Sequence, residues 1–419
     1  MNSSGVRRAH DVTLPVGALR AHPDGELEVL SAAGTPAEAG DGVAAGIARL
    51  VTTHPVDPPG LTVARSPGAH PQSIAIDATE SALGAGVDAT NWNVIVADSL
   101  IVKIDRRWDG AHRAPGILAY LSEQAPGITP RHFGSVSMVI PGTTESAAVA
   151  TVAEFVPGSV DGWTWVVDEA CAAIDSESAA TVDVSWASDL GKLVARLHTA
   201  LREHPRARGT ADASIEEADA ALTREALATL AHLSTGDDET AARVRARRAA
   251  LERAIRRTPA PRGPVHPIHG DLHVGQILRV PSGRLFVIDF DGDPQHPDSE
   301  YLSDAAVDLM HLVTSVDLVG AIVHRRRGGT DPRVDAWCDR SRAALLRAYE
   351  HAMPTEHTPA TAARLEGLMV RRLIAELRYA DSFLPRWRYA ADYALTRRFT
   401  PEPHVPGDTA WTPPPSTTT

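Results

Sequence analysis

Short runs of alternating apolar and polar residues in the first part of the chain predict β-strands. Residues 12–31 contain two such runs around the turn-forming sequence His-Pro-Asp-Gly, and residues 48–55 and 61–66 are interpreted as further strands. The clearest pattern is at residues 92–96 and 100–104, two β-rich runs that predict a hairpin with Lys103 near its end. Another strand pair is predicted downstream of a helix; the helix covers residues 115–124 and the strands residues 135–140 and 148–155.

After residue 161 the apolar positions follow helical spacing, as at Leu190, Leu193 and Leu197. Helices are predicted within residues 189–202, 215–257, 305–319, 343–352 and 362–381, and short strands at 268–269, 276–280 and 284–290. We therefore predict four segments: an N-terminal cap over residues 1–85, a β-rich intermediate subdomain over 86–156, a helical C-terminal lobe over 157–400, and a Pro/Thr-rich tail over 401–419.

The composition is typical of a globular protein, with 43% hydrophobic and 22% charged residues. A net charge of −12 argues against nucleic acid or an anionic membrane as the main partner. We find neither a signal peptide nor a run of about 18 apolar residues that would span a membrane. Cys171 and Cys338 are too few for a disulfide framework. We therefore expect a cytoplasmic protein, preferably a monomer, that acts on small molecules.

The candidate chemistry lies in two neighbouring sequences, HGDLHVGQ at residues 269–276 and FVIDFDG at residues 286–292. Phosphoryl transfer needs one carboxylate to orient the attacking hydroxyl and another to hold Mg²⁺, which protein kinases supply in the patterns H-R-D-x-x-x-x-N and D-F-G. Asp271 takes the first position, Gln276 follows five residues later where the Asn would stand, and Asp289 opens the second pattern. The sequence therefore predicts an ATP-dependent kinase with Asp271 as catalytic base and Gln276 and Asp289 as Mg²⁺ ligands.

The predicted β-rich subdomain carries candidate ATP-binding residues. Lys103 is positioned to bind the α- and β-phosphates, although it could equally be an edge lysine whose stem covers apolar surface. Thr90 and Asn91 open the hairpin and could cover the phosphates, but their loop is not glycine-rich. Glu154 and Val156 follow the second strand pair, where a hinge backbone could bind adenine.

The order of five sequences, DATNWNVIVADSLIVKIDRR, AEFVPGSVDGW, HGDLHVGQIL, VIDFDGDP and IAELRYA, resembles the bacterial maltokinases and, more broadly, the aminoglycoside phosphotransferase group. The resemblance covers roughly residues 86–400. It implies an α+β, bilobal fold like that of protein kinases, with an extra N-terminal cap, a small β-rich lobe and a larger, mainly helical C-terminal lobe. It also implies that His273 lies beside the catalytic base and shapes the acceptor site.

Two departures from the family pattern are visible. Kinases pair the strand lysine with a glutamate of the following helix, but here that position lies near Gly116. Glu123 and, more remotely, Glu80 are possible substitutes. The second motif reads DFDGDP instead of a DFEGEP-like run, so Asp291 and Asp293 keep the charge but have a shorter reach. We therefore expect a pocket or metal site of different size.

The resemblance implies that the acceptor lies between the Asp271 loop and the late helices, where carboxylates could bind an ammonium group and aromatic rings could stack on a sugar. The candidates are Asp293, Asp298, Glu300, Tyr301, Asp304, Asp308, Glu376, Arg378, Tyr379, Trp387 and Tyr393. Asp304 and Asp308 could equally be surface charges at the start of a helix. Related actinobacterial kinases phosphorylate glucosamine, so the resemblance favours conversion of glucosamine to glucosamine 6-phosphate. The contacts chosen for this acceptor are Asp271, His273, Glu300, Tyr301 and Trp387.

Other functions remain open from the sequence. The acceptor could be maltose, a different amino sugar or an aminoglycoside. A metallohydrolase could bind a transition metal through His269, Asp271, His273 and Asp289, although Gly270 and Gly275 indicate a loop there and not a helix. The absent helix glutamate favours a nucleotide-binding pseudokinase, whereas the complete set of motif residues argues against it.

Overall fold

The computed structural model describes residues 9–53, 56–67, 78–83, 91–109, 113–140, 143–176, 183–261, 264–293, 302–354, 360–401 and 410–414. The chain forms two compact units, one made of Met1–Ser159 with Val280–Glu300 and the other of Val160–Arg279 with Tyr301–Thr419. We call them unit 1 and unit 2.

Unit 1 is built on antiparallel sheets. Its elements are β1 (His10–Thr13), β2 (Ala18–Ala21), β3 (Leu27–Leu30), α1 (Val43–Thr52), β4 (Leu61–Arg65), β5 (Glu80–Ala82), β6 (Asn91–Val96), β7 (Leu100–Asp105), α2 (Ala114–Gln124), β8 (His132–Val139), β9 (Ser146–Glu154) and β13 (Leu285–Val287). The first three strands form one sheet in the order β1-β2-β3. Six strands form a second sheet in the order β4-β8-β9-β7-β6-β5. Both hairpins expected from the sequence are present, at β2–β3 and at β6–β7.

Strand β7 places Lys103 at the centre of the larger sheet, since it pairs with Asn93 of β6 on one side and Thr151 of β9 on the other. Successive side chains of a strand point to opposite faces. Val102 and Ile104 are fully buried in the core that the sheet shares with α1, whereas Lys103 points to the opposite face. The apolar core thus fixes the face that presents the lysine.

The prediction of a strand at residues 48–55 is wrong, because α1 extends through Thr52. The start of α1 is capped by a residue that lies far along the sequence. The Glu80 carboxylate accepts the backbone N–H groups of Gly42 at 3.0 Å and Ala45 at 2.7 Å. Such capping satisfies N–H groups that lack a partner within the helix. Glu80 therefore caps α1 and does not substitute for the missing kinase glutamate.

Unit 2 is mainly helical. Its elements are β10 (Val160–Asp161), α3 (Gly162–Asp175), α4 (Ser185–Arg202), α5 (Ala213–Leu233), α6 (Glu239–Arg256), β11 (His266–Pro267), a 3₁₀ turn (Val274–Gln276), β12 (Ile277–Arg279), β14 (Leu302–Ser303), α7 (Ala306–Arg327), α8 (Pro332–Ala352), α9 (Ala362–Ser382), a second 3₁₀ turn (Pro385–Trp387) and α10 (Arg388–Arg398). Trp165, Trp186 and Trp337 pack in series between α3, α4 and α8, the first pair edge to face and the second stacked, with ring centroids 5.6 Å apart in each pair. A second core joins α5, α6, α9 and α10.

Helix α7 is the central helix of unit 2 and contacts α3, α8, α9 and α10. Contrary to the expectation from the sequence, it is long and apolar enough to cross a membrane, within the part of the chain that the structure describes. However, 83% of its most apolar 18-residue window is buried inside the protein. Packing against the neighbouring helices therefore accounts for its apolar character.

The predicted four-segment division stays a prediction. The larger sheet of unit 1 includes β4 and β5, so it crosses the boundary that we placed at residue 85. Residues 280–300, which carry Asp289 and Asp291, group with unit 1 although they were assigned to the helical lobe.

Candidate functional site

In unit 1 the second motif meets the strand lysine. The Lys103 Nζ lies 2.5 Å from one carboxylate oxygen of Asp289 and 2.5 Å from one of Asp291. The Asn91 Nδ2 donates to the same oxygen of Asp291 that contacts Lys103, Oδ2, at 3.2 Å. We call Asn91, Lys103, Asp289 and Asp291 the Lys103 cluster.

The local backbone explains how two carboxylates reach one lysine. Strand β13 is fully buried, and Asp289 follows it at φ 64°, in the left-handed region that aspartate tolerates better than most residues. Burial by itself would lower the pKa of Lys103, but the attraction of Asp289 and Asp291 outweighs it and raises that pKa above its usual value. Lys103 is therefore a fixed cation.

The other predicted ATP-binding residues are less sharply placed. Thr90 lies outside the described residues. Glu154 ends β9, and its carboxylate accepts the Arg131 N–H at 3.2 Å. Val156 follows in a turn that its carbonyl closes with the Ser159 N–H. The adenine-binding role of this segment stays a prediction.

In unit 2 the first motif forms a loop between β11 and β12 that brings charged side chains around Asp271. Arg372 Nη2 of α9 lies 3.0 Å from Asp271 Oδ1, and His311 Nδ1 of α7 lies 3.3 Å from the same oxygen. His273 Nε2 lies 3.7 Å from Asp271 Oδ2. Arg372 also pairs with Glu376, one turn further along α9, at 2.6 Å. We call these five residues the Asp271 cluster.

Asp271 is buried, yet its surroundings favour the ionised form. Burial would raise the pKa of its carboxyl, but Arg372, His273 and His311 together lower that pKa far below the usual range. His273 behaves in the opposite sense, because burial lowers the pKa of its imidazole more than Asp271 raises it. The cluster thus presents a carboxylate anion beside a histidine whose protonated form is disfavoured by burial.

Asp308 anchors the loop through hydrogen bonds from the loop backbone. It is fully buried at the start of α7, and its two oxygens accept the backbone N–H groups of His269 at 2.7 Å and Gly270 at 2.8 Å. Gly270 has φ 87°, which residues with a side chain rarely adopt. His198 Nε2 lies 3.1 Å from the same carboxylate. Burial opposes ionisation, but contacts to His198 and to the loop N–H groups lower the pKa of Asp308 well below its usual range.

Helix α7 contacts the loop at two further points. Ser315 Oγ accepts the Val274 N–H at 3.0 Å, and His311 reaches Asp271 as described above. Asp308, His311 and Ser315 stand three and four residues apart, so they share one face of the helix. One helix face therefore positions both ends of the first motif.

Asp304 and Asp308, two of the acceptor candidates, have other roles. Asp308 is predicted as a pocket or surface carboxylate, but it is fully buried and binds the loop backbone. Asp304 pairs with the buried Arg364 at 2.8 Å, so its charge is also already compensated. A buried carboxylate that is already paired has little to offer an additional cation. Asp298, Glu300 and Tyr301 lie outside the described residues.

The remaining predictions differ in outcome. His273 and Glu376 belong to the Asp271 cluster. Trp387 is 42% exposed and its ring stacks on Tyr389 at 6.4 Å; among the described residues no hydrogen bond, ion pair or ring contact joins it to that cluster. Gln276 closes the 3₁₀ turn, with its N–H donated to the His273 carbonyl. The roles of Trp387 and Gln276 stay predictions.

Sequence reasoning missed Arg372 and His311. A signal was available for each. Arg372 stands four residues before Glu376, the spacing of an intrahelical ion pair. His311 stands one helical turn after Asp308. Neither signal shows that the residue reaches Asp271, since the contacts join positions 101 and 40 residues apart in the chain.

The Lys103 cluster suits a hard cation. Mg²⁺ is usually held by one or two carboxylates together with phosphate oxygens and water. Asp289 and Asp291 lie close enough together to contact one Lys103 ammonium, so at least one carboxylate, with Asp289 at the D-F-G position, is available to such a cation. The transition-metal alternative fits less well. His269 is fully buried and its Nδ1 accepts the Asp271 N–H at 3.3 Å, while no group of three or more His, Cys, Asp or Glu residues forms a metal centre within the described parts of the chain.

Comparison with known proteins identifies relatives of this chain. The model of the phosphotransferase enzyme family matches residues 79–357. A glucosamine kinase of Mycolicibacterium smegmatis is 34% identical over 316 residues, which cover 74% of this chain and 77% of the relative. A glucosamine kinase of Streptacidiphilus jiangxiensis is 31% identical over 332 residues, which cover 75% of this chain and 72% of the relative.

Solved structures share the fold of this chain. A glucosamine kinase in complex with glucosamine, ADP and inorganic phosphate has a TM-score of 0.72 at 24% identity and covers 93% of each chain. Another crystal form of a glucosamine kinase has a TM-score of 0.71 at 25% identity, covering 93% of this chain and 91% of the other. The predicted kinase-like α+β fold is confirmed.

Proposed function

The chain belongs to the phosphotransferase enzyme family, and we propose that it transfers the γ-phosphate of ATP to glucosamine, forming glucosamine 6-phosphate. The observation that carries the proposal is the Asp271 cluster, in which a buried, ionised carboxylate lies beside a second carboxylate, Glu376. Two relatives that share at least 31% of their aligned residues with this chain are glucosamine kinases, which supports the choice of acceptor.

Asp271 orients the attacking hydroxyl of the sugar. Its Oδ1 is engaged by Arg372 and His311, so Oδ2, beside His273, is the oxygen directed to the acceptor. Because the pKa of Asp271 is strongly lowered, the carboxylate is a weak base. Phosphoryl transfer passes through a loose transition state in most analyses, so the hydroxyl needs alignment more than early deprotonation. Asp271 then takes the proton as the new P–O bond forms and the bond to ADP breaks.

Lys103, Asp289 and Gln276 are assigned to the nucleotide. Lys103 is permanently charged and would neutralise the α- and β-phosphates. Asp289 and Gln276 would hold Mg²⁺, which when bound supplies positive charge to the transferred phosphoryl group. The Asp289 carboxylate is the stronger ligand, because the Gln276 side chain offers only an amide dipole.

Glu376 is the proposed partner of the acceptor ammonium. It is one of the carboxylates expected near the acceptor from the sequence, of which Asp304 and Asp308 are engaged elsewhere. Glu376 also pairs with an arginine, Arg372, at 2.6 Å, but its side chain is 28% exposed against 12% for Asp304, so it is the more accessible carboxylate for an ammonium. A charge-assisted hydrogen bond contributes about 1.5–3 kcal/mol, which corresponds to roughly 10- to 100-fold discrimination against a hydroxyl.

The test is an ADP-release assay with ATP and Mg²⁺ across glucosamine, glucose, N-acetylglucosamine and maltose. We expect kcat/KM for glucosamine to exceed that for glucose by at least about tenfold. N-acetylglucosamine should be poor, because acetylation removes the charge and leaves a carboxylate unpaired. If maltose gave the highest kcat/KM, the chain would be a maltokinase and the assignment of Glu376 would fall.

A further inference from the structure

Lys103 lacks the partner that kinases normally provide. In protein kinases the strand lysine is held by a glutamate of the following helix, and catalysis requires that pair. Here the following helix is α2, in which Gly116 stands near the expected position. Its one acidic residue, Glu123, lies exposed in the last turn. Within the described residues, the carboxylates in ion-pair contact with Lys103 are Asp289 and Asp291.

The two carboxylates are not equivalent. Asp289 stands at the D-F-G position, which the proposed function assigns to Mg²⁺. A carboxylate that shares its charge with a metal ion attracts an ammonium less strongly. Asp291 has a separate attachment, because Asn91 at the start of β6 donates to its Oδ2 at 3.2 Å. Asn91 and Lys103 lie on adjacent, paired strands of one sheet, so Asp291 is tied to the same hairpin that carries the lysine.

We propose that Asp291 is the positioning residue of Lys103 and takes the place of the absent helix glutamate. Asp291 keeps the ammonium in place when Asp289 engages the metal, and Asn91 holds Asp291 in register with the hairpin. This inference rests on the proposed kinase function, but not on the identity of the acceptor. It explains how the chain retains a fixed lysine without an acidic residue near Gly116.

A double-mutant cycle tests the proposal, with Asp291→Asn, Lys103→Met and the combined variant measured for turnover and for calorimetric binding of ADP at graded Mg²⁺ concentrations. Asp291→Asn leaves the lysine on Asp289 alone, where it competes with the metal. We expect the half-saturating Mg²⁺ concentration to rise about tenfold and kcat to fall about tenfold, with the KM for glucosamine unchanged. Because Asp291 acts through Lys103, the combined variant should match Lys103→Met in both kcat and the half-saturating Mg²⁺ concentration.

Two further variants separate positioning from folding. Asp291→Glu keeps the charge and should recover most of the activity that Asp291→Asn loses. Glu123→Gln should behave as wild type; an effect equal to that of Lys103→Met would instead identify Glu123 as the anchor. The unfolding midpoint of each variant shows whether the fold is retained.

Other outcomes overturn the inference. If Asp291→Asn raises the Mg²⁺ requirement equally with and without Lys103, Asp291 binds the metal and does not act through the lysine. If neither quantity changes in Asp291→Asn, Lys103 needs no anchor. Should wild type fail to phosphorylate glucosamine, the proposed acceptor is wrong, but calorimetry with ADP still decides the role of Asp291.

Discussion

The Lys103 cluster and the Asp271 cluster both combine carboxylates with basic residues, but they differ in how tightly the carboxylate is held. In the Asp271 cluster the side chains of Asp271 and Arg372 are 11% and 13% exposed, and the loop backbone is fixed by Asp308. In the Lys103 cluster the side chains of Asp289 and Asp291 are 39% and 42% exposed. The first arrangement suits a group that keeps one geometry through catalysis. The second suits a site in which Asp289 exchanges its partner when nucleotide and metal bind, while Asp291 keeps the lysine.

The largest loss of activity is expected from a substitution of Asp271 itself. Asp271→Asn should lower kcat by about 10²- to 10⁴-fold, the usual contribution of a general base. The change is nearly isosteric, so calorimetric binding of ADP with Mg²⁺ should survive. Steady-state kinetics of glucosamine phosphorylation measures the loss. Full turnover in this variant would remove Asp271 from the mechanism.

The contribution of Asp308, which holds the backbone of the Asp271 loop, can be tested separately. Asp308→Asn removes the charge that His198 and two loop N–H groups share, and breaking such a buried network typically costs about 3–5 kcal/mol. We expect a lower denaturation midpoint in urea and a reduced kcat, because the Asp271 loop loses its anchor. A variant with unchanged stability would show that the loop keeps its shape without Asp308.

Variants of the Lys103 cluster should change the Mg²⁺ concentration that the enzyme requires. Asp289→Asn is expected to raise the Mg²⁺ concentration needed for half-maximal activity by about 10- to 100-fold, because a charged ligand is replaced by a neutral one. Gln276→Ala should give a smaller shift. Activity is measured across a Mg²⁺ titration at saturating ATP. Identical titration curves for wild type and Asp289→Asn would refute the metal assignment.

Acceptor selectivity gives a smaller effect. Glu376→Gln should reduce the ratio of kcat/KM for glucosamine to that for glucose by about tenfold, since the ammonium loses its charged partner. The exposed Glu366 lies on the same helix, so Glu366→Gln serves as the matched control and should leave the ratio unchanged. If both variants retain the wild-type ratio, another residue recognises the amine.

Each unit also contains a buried histidine whose ionisation opposes folding. Burial lowers the pKa of His132 in unit 1 to about 4 and that of His266 in unit 2 to about 4. Unfolded histidine titrates near pH 6.5, so between about pH 6.5 and about pH 4 the unfolded chain binds more protons than the folded chain. Stability should therefore fall as the pH falls through this window, by up to roughly 3 kcal/mol for each histidine.

Unfolding midpoints at about pH 7.5 and about pH 5 measure this loss. His132→Asn should show a smaller drop between the two values, whatever its stability at the higher pH. The lowered pKa values of Asp271 and Asp308 affect stability only below the unfolded carboxyl pKa of about 4, so they do not obscure the comparison. If the unfolding midpoint fell equally in wild type and in His132→Asn, His132 would not contribute to the pH dependence of stability.

The sequence predicted the motif loops and the β6–β7 hairpin because their signals are local. Alternation along β7 marks the face of Lys103, and the spacing from Asp271 to Gln276 is contained in one loop. The start of α1 could not be predicted in this way, because its cap is Glu80, 35 residues beyond Ala45. Its Ala- and Val-rich sequence is compatible with a strand or a helix until that distant cap is known.

The candidate site shows the same division between local and distant information. Asp308 was identified as a carboxylate near the motif, but its role depends on burial and on backbone donors 38 and 39 residues away. Arg372 reaches Asp271 only because α9 packs in unit 2 with that face inward. Burial and long-range contact thus determine which of many charged residues form the site.

The shared face of α7 has an evolutionary consequence. Asp308, His311 and Ser315 all contact the catalytic loop or Asp271, and one residue gained or lost between them would rotate the later contacts by about 100° around the helix. A change of length within this interval would therefore separate these contacts. The interval from Asp308 to Ser315 should be free of insertions and deletions across the family, even where the amino acids at the intervening positions have changed.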